Sequence, residues 1–233
     1  MKIKLYDDDV GFVELVDHMG SDLTIVNSAR VSFGKHKDEL DQKDKKLISY
    51  LVKHRHTSTF EHNVVTFRLR VPLFVRSQHH RHRTWSYNEI SRRYTDVDIN
   101  FYEPQSFRSQ HDTNRQASNL DSFDPFIDSE KITGGTTASY LVRNHHKKSL
   151  ALYNKLLENG VCREQARGVL PQNMYTEYYA TVNLNNLLKF IDLRTHAGAQ
   201  VEIQDLANGM LQIARSLWPV AVDSYAKLRR EDK

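Results

Sequence analysis

Apolar and polar residues alternate most cleanly in one stretch of the chain. Val65, Phe67, Leu69 and Val71 are separated by Thr66, Arg68 and Arg70, the two-residue period of a strand with one face against a core. Pro72 ends that strand, since it has no amide to give a sheet ladder. Its fixed φ suits the first position of a helix carrying Leu73, Phe74, Val75 and Gln78. Upstream, Leu47, Ile48, Leu51 and Val52 recur at helical spacing between Asp44 and Lys53, and the run HTSTFEHN at 56–63 breaks that helix. Residues 2–6 and 10–16 read as short strands, or as a strand and the start of a helix.

Downstream the pattern changes. Residues 104–135 are polar and turn-rich and read as a long excursion that a partner or ligand orders. Helix resumes near Thr137 and reaches Asn159, where Gly160 supplies a C-terminal stop. A short helix beginning at Cys162 ends at Gly168 and Pro171. Asn183 is the N-cap of a helix bearing Leu187, Leu188, Ile191 and Leu193. After Gly198 a longer helix shows Ile203, Leu206, Met210, Ile213 and Leu217, and Pro219 closes it. Helices around one strong strand and weaker flanking strands imply an α/β or α+β class.

Length and composition narrow this picture. The 233 residues, 39% hydrophobic and 27% charged, suit one large domain over 1–233 better than two small ones. The formal charge of +4 comes from 33 cationic residues against 29 acidic ones, too balanced for a protein that depends on nonspecific polyanion binding. The acidic start and the absence of a long apolar run are expected of a soluble, cytoplasmic protein with no membrane partner.

Several groups carry candidate chemistry. His54, His56, His62, His79, His80 and His82 crowd one region, yet no HExxH or carboxylate triad accompanies them, so the expectation is no metal site. Cys162, the single cysteine, excludes an internal disulfide and is expected to be a buried structural residue rather than a nucleophile. No GxGxxG or GxxxxGKS/T loop is present, so a dinucleotide would have to be held by arginine, histidine and backbone groups. Arg81, Arg83, Arg92 and Arg93 cluster within RHRTWSYNEISRRY, residues 81–94. Such a cluster is ordinarily a solvated basic face. Ser86, Asn88, Glu89 and Ser91 between the arginines instead suggest a discriminating pocket, because a carboxylate weakens a general polyanion surface.

The same stretch resembles a specific signature. RHR, seven residues and a serine is the mark of the flavin-dependent thymidylate synthases, and the longer RHRxxSxNxxSxR is met by Arg81, His82, Arg83, Ser86, Asn88, Ser91 and Arg93. HTSTFEHNVVTF at 56–67 is similar to the family's HxTPFEHxxxxF. Residues 163–194 are similar to its RExARxxLPxxxYTxxxxTxNxRxxxxFxxLR. The blocks occur in the family's order, from before the central strand almost to the C-terminus.

The resemblance implies an enzyme that methylates the uracil of dUMP to give dTMP. Methylenetetrahydrofolate is the carbon donor, NADPH the reductant, and FAD the bound cofactor. It implies a single domain with a central mixed or antiparallel sheet flanked by helices, assembled as a homotetramer with active sites at subunit contacts. By position, it places Gln78, Arg81, Glu89, Ser91, Arg93, Arg167 and Arg194 on dUMP, with Arg194 catalytic beside the uracil. It places Ser58, Arg81, His82, Arg83, Glu89, Asn183, Asn185 and Lys189 on FAD. Cys162 matches no family nucleophile.

The chain departs from the pattern in three segments. Ser58-Thr59 replaces Thr-Pro, Asn183-Leu184-Asn185 replaces NxR and so lacks a cation, and Lys189 stands where Asn or His is common. The alternative reading is a single-stranded nucleic-acid module using Trp85, Tyr87 and Tyr94 as stacking platforms on the basic segment. A metal-dependent hydrolase is a third.

Overall fold

The computed structural model describes residues 1–129 and 132–231. The chain opens with an antiparallel pair, β1 (Lys2–Lys4) and β2 (Phe12–Met19). The run 10–16 is therefore strand, with no helix start. α1 (Asp22–Arg30) and α2 (Gln42–Lys53) follow, and Asp41 caps α2 by accepting from the amides of Lys43 at 2.7 Å and Asp44 at 2.9 Å. A 3-10 turn, Thr57–Phe60, leads to β3 (Val64–Pro72), α3 (Leu73–His79) and β4 (Ser86–Glu89). A hairpin of β5 (Phe126–Ser129) and β6 (Ile132–Thr137) precedes α4 (Ala138–Glu158) and the short α5 (Arg163–Ala166). β7 (Tyr175–Asn183), α6 (Leu184–Arg194), α7 (Val201–Leu217) and α8 (Pro219–Glu231) complete the chain.

β1, β2, β3, β7 and β4 form, in that order, one sheet whose neighbours are all antiparallel. Val65, Phe67, Leu69 and Val71 of β3 are fully buried, as the alternation requires. The opposite face carries a polar ladder across the strands. Thr66 meets Thr181 at 2.9 Å, Arg68 donates to Glu177 at 2.6 Å, and Arg70 pairs with Asp98 at 2.7 Å. α7 closes the core with Ile203, Leu206, Met210 and Ile213. Trp218, equally buried, donates its indole N–H to the Gly20 carbonyl at 3.1 Å.

The structure revises several boundaries. Pro72 is the last residue of β3 and the N-cap of α3, one position before the helix proper. Pro219 closes α7 as expected but also opens α8, whose first free amides, at Val220 and Ala221, are each accepted at 3.0 Å by the carboxylate of Asp22. β7 alternates in burial, with Thr176, Tyr178, Ala180 and Val182 inward, but its hydropathy does not follow, because polar Thr176 is buried and Tyr179 is exposed. Residues 104–129 are not structureless. Phe107 and Phe123 exchange backbone hydrogen bonds at 2.8 and 3.2 Å, so the segment doubles back on itself. Residues 130 and 131 of the excursion lie outside the described residues.

Gly209 sits inside α7, where glycine ordinarily costs a helix stability. A Cβ there would stand 2.7 Å from Cγ1 of Val13 in β2, so the glycine permits close helix-to-sheet contact. Gly209→Ala is expected to lower unfolding stability by about 1–2 kcal/mol, overpacking outweighing the roughly 1 kcal/mol gained in helix propensity. A urea midpoint at or above that of the parent would show the contact can relax.

Candidate active site

The basic segment does not act as one surface. Arg81 and Arg83 are exposed in the turn after α3, whereas Arg92 is only 7% exposed. The Arg92 guanidinium donates to the carbonyls of Val97 at 2.6 Å and Asp98 at 3.3 Å, which fixes the loop beyond β4. Its neighbour Arg93 is exposed and lies 3.3 Å from Glu164. Ser91 accepts from the Arg93 amide at 3.3 Å. Adjacent arginines thus divide the work: one holds the loop, the other faces outward.

Arg194 ends α6, and its Nε–H donates to Nε2 of His82 at 3.1 Å. That contact requires a neutral imidazole with its proton on Nδ1. Burial, with the Arg194 charge second, pushes the His82 pKa down to about 4. Burial also lowers the pKa of Arg194. Behind them, fully buried His79 shares a hydrogen bond with the Tyr178 hydroxyl at 2.8 Å, and burial holds its pKa well below the usual histidine value. His79 packs edge-on against Trp85 at 4.5 Å, and Trp85 is 7% exposed. Trp85 therefore belongs to the core and presents no stacking platform.

Glu89, on β4, is held from two elements. Arg76 Nε of α3 at 3.0 Å and Thr176 Oγ1 of β7 at 2.7 Å both donate to its Oε1. Gln78 donates its side-chain amide to Gln200, whose own amide donates to Glu202 at 2.8 Å. Arg76, Gln200 and Glu202 carry no periodic or motif signal, whereas Thr176 falls on the YT pair of the block at 163–194. The first three enter through tertiary contact alone.

The residues matched to flavin sit around another part of the fold. Asn183 caps α6 by accepting from the Asn186 amide at 3.0 Å, and buried Asn185 donates to Glu61 at 3.0 Å. Asn185 and Lys189 line a cleft of about 420 Å³ shared with His56, Thr57 and Phe60. Its floor includes Leu51, Val52 and Leu188. Lys53, Arg55 and Arg229 also line it, and among the described residues no carboxylate does. Ser58 is exposed on the adjoining 3-10 turn.

Other expected residues stand apart. Arg167 is exposed on a 3-10 turn after α5, with no contact to the Arg194–His82 pair among the bonds of the described residues. Cys162, expected to be buried, is exposed at the N-cap of α5, where four residues of helix cannot cover it. Among the described residues no group of three or more His, Cys, Asp or Glu side chains is arranged to hold a metal ion. Among the same residues no helix is long and apolar enough to cross a membrane.

With this geometry in view, the comparisons identify the class. Residues 14–220 match the model of the thymidylate synthase complementing protein family, and the chain belongs to that family. It is 44% identical over 213 residues, 91% of this chain and 74% of the relative, to the flavin-dependent thymidylate synthase of Thermus thermophilus. It is 42% identical over 230 residues to that of Thermotoga neapolitana, covering 97% and 95% of the two chains. Among solved structures, the UMP/dUMP methylase PolB from Streptomyces cacaoi, bound with 5-Br dUMP, superposes with a TM-score of 0.81 at 33% identity, over 97% of each chain.

The lowered His82 pKa has a thermodynamic sign. The unfolded chain takes up a proton near the ordinary value of 6.5, and the native protein does so only near 4. This contribution is therefore full above pH 6.5 and declines as pH falls toward 4. The parent protein should lose more thermal stability between pH 7 and 4.5 than the His82→Gln variant. Parallel losses in a pH series of melting curves would exclude it.

Proposed function

We infer that this protein is a flavin-dependent thymidylate synthase, an enzyme that methylates the uracil ring of dUMP to give dTMP. The observation that carries the reading is the match across residues 14–220, within which the chain's fold brings Arg194 against the neutral ring of His82. FAD is the flavin, NADPH the reductant and methylenetetrahydrofolate the carbon donor. The protein works in the cytoplasm as one domain per chain, in a homotetramer whose active sites lie at subunit contacts.

Uracil is a weak carbon nucleophile until electron density enters the ring, and a fixed cation beside it favours the anionic form. Arg194 supplies that cation. His82 accepts from its Nε and so leaves the terminal guanidinium nitrogens for the nucleotide. Gln78, Arg81, Glu89, Ser91, Arg93 and Arg167 bind the rest of dUMP, with exposed arginines as forked donors to its phosphate. Bound flavin supplies hydride chemistry. Ser58, Arg81, His82, Arg83, Glu89, Asn183, Asn185 and Lys189 hold it. The cleft beside Asn185 and Lys189 fits such a group, because its apolar lining suits a ring and its cations Lys53, Arg55 and Lys189 suit a diphosphate. The nucleic-acid reading loses its support with Trp85 buried.

Purified protein incubated with dUMP, methylenetetrahydrofolate, FAD and NADPH should form dTMP. Folded, flavin-loaded protein that forms none would refute the assignment. Arg194→Ala should lose at least about a hundredfold in turnover, the scale of removing one transition-state charge partner, while flavin absorbance is largely kept. Cys162→Ala should keep full activity. An inactive but folded, flavin-loaded variant would make the thiol a participant.

A further inference from the structure

Glu202 lies in the first turn of α7 and is only 4% exposed, an unusual place for a carboxylate. Its partners are all donors. Arg108 Nη2 at 2.7 Å and the Tyr102 hydroxyl at 3.2 Å reach Oε1, and Gln200 Nε2 at 2.8 Å reaches Oε2. The Arg108 ion pair and the other hydrogen bonds outweigh burial and hold the Glu202 pKa below the usual glutamate value, so the group is ionised.

An ionised carboxylate only accepts hydrogen bonds. Gln200 must therefore turn its NH2 toward Glu202 and its carbonyl oxygen toward α3. That carbonyl receives the NH2 of Gln78. Two primary amides in series have no polarity of their own, since either could rotate by half a turn. A single buried charge at one end fixes both. The free end of Gln78 is then its carbonyl oxygen, an acceptor.

We propose that Glu202 is a positioning residue that acts through Gln200 to orient the amide of Gln78, so that Gln78 offers an acceptor to a hydrogen-bond donor of the nucleotide. This rests on the reading of Gln78 as a dUMP contact. Arg108 and Tyr102, which stabilise the charge, belong to the polar excursion and its approach, so the excursion helps set the polarity of the site. Arg108 is itself steadied by Ser118 at 3.1 Å.

Glu202→Gln keeps the shape of the side chain and removes the charge. In flavin-loaded enzyme it should raise the dUMP KM about tenfold, the scale of one misdirected hydrogen bond, with kcat and flavin content nearly unchanged. Glu202→Asp, which keeps the charge, should recover part of the loss. If removing the buried charge prevents folding, Gln200→Ala breaks the relay with the Glu202–Arg108 pair intact and should give the same KM rise. Combining Gln78→Ala with either variant should cost no more than Gln78→Ala alone.

An unchanged KM in Glu202→Gln or Gln200→Ala, or a penalty that multiplies with that of Gln78→Ala, overturns the relay. Unchanged dUMP binding in Gln78→Ala instead overturns the assignment of Gln78, and the proposal with it. A parent enzyme that binds no dUMP at all refutes the functional reading itself. The 3′-deoxy nucleotide identifies the donor. A penalty abolished there assigns the contact to the sugar hydroxyl, and a penalty retained assigns it to the ring N–H of the neutral uracil, before the ring ionises.

Discussion

The pairing of β3 with β7 governs the placement of everything else. Nine residues of each strand are in register, from Val64 opposite Asn183 to Pro72 opposite Tyr175. The strands run in opposite directions, so α3 leaves one end of the pair and α6 leaves the other. Each helix then returns along the sheet, about 10 Å for α3 and about 16 Å for α6, against a strand pair about 27 Å long. The two helix C-termini consequently converge. That convergence sets Arg194 at 3.1 Å from His82. It also gathers cations at two negative helix ends, an arrangement the helix dipoles favour.

β7 has a second consequence. Its free edge receives β4, which turns the strand half of the basic segment into a fixed part of the sheet, with Glu89 opposite Tyr178. Once Glu89 is anchored there, Arg76 and Thr176 can hold it from separate elements. Charge is managed in the same way throughout the region. Glu89 has a donor from each side, Arg92 is spent on carbonyls, and Glu202 is surrounded by donors. Arg81, Arg83 and Arg93 are left exposed, Arg93 beside Glu164.

The flavin-dependent thymidylate synthase reading explains why neutral histidines and a conventional cation coexist here. Burial lowers the pKa values of His79 and His82, so they add no positive charge beside Arg194 at neutral pH.

The sequence by itself determined β3, whose alternation follows from having one face buried, and the helices with regular apolar spacing, α2, α6 and α7. It also determined the segment 81–94, whose match to the family signature needs no tertiary structure. β4 and β7 were not legible in the periodicity, because β4 is a four-residue edge strand with no buried side chain and β7 buries polar Thr176 while exposing Tyr179. Gln200, Glu202 and Arg76 were equally silent, since their contacts to Gln78, Arg108 and Glu89 span 13 to 122 residues of chain. Which arginines face outward, which histidines stay neutral and which end of an amide is presented were decided only by tertiary structure. Each depends on burial and on a partner's charge, and neither is a property of local sequence.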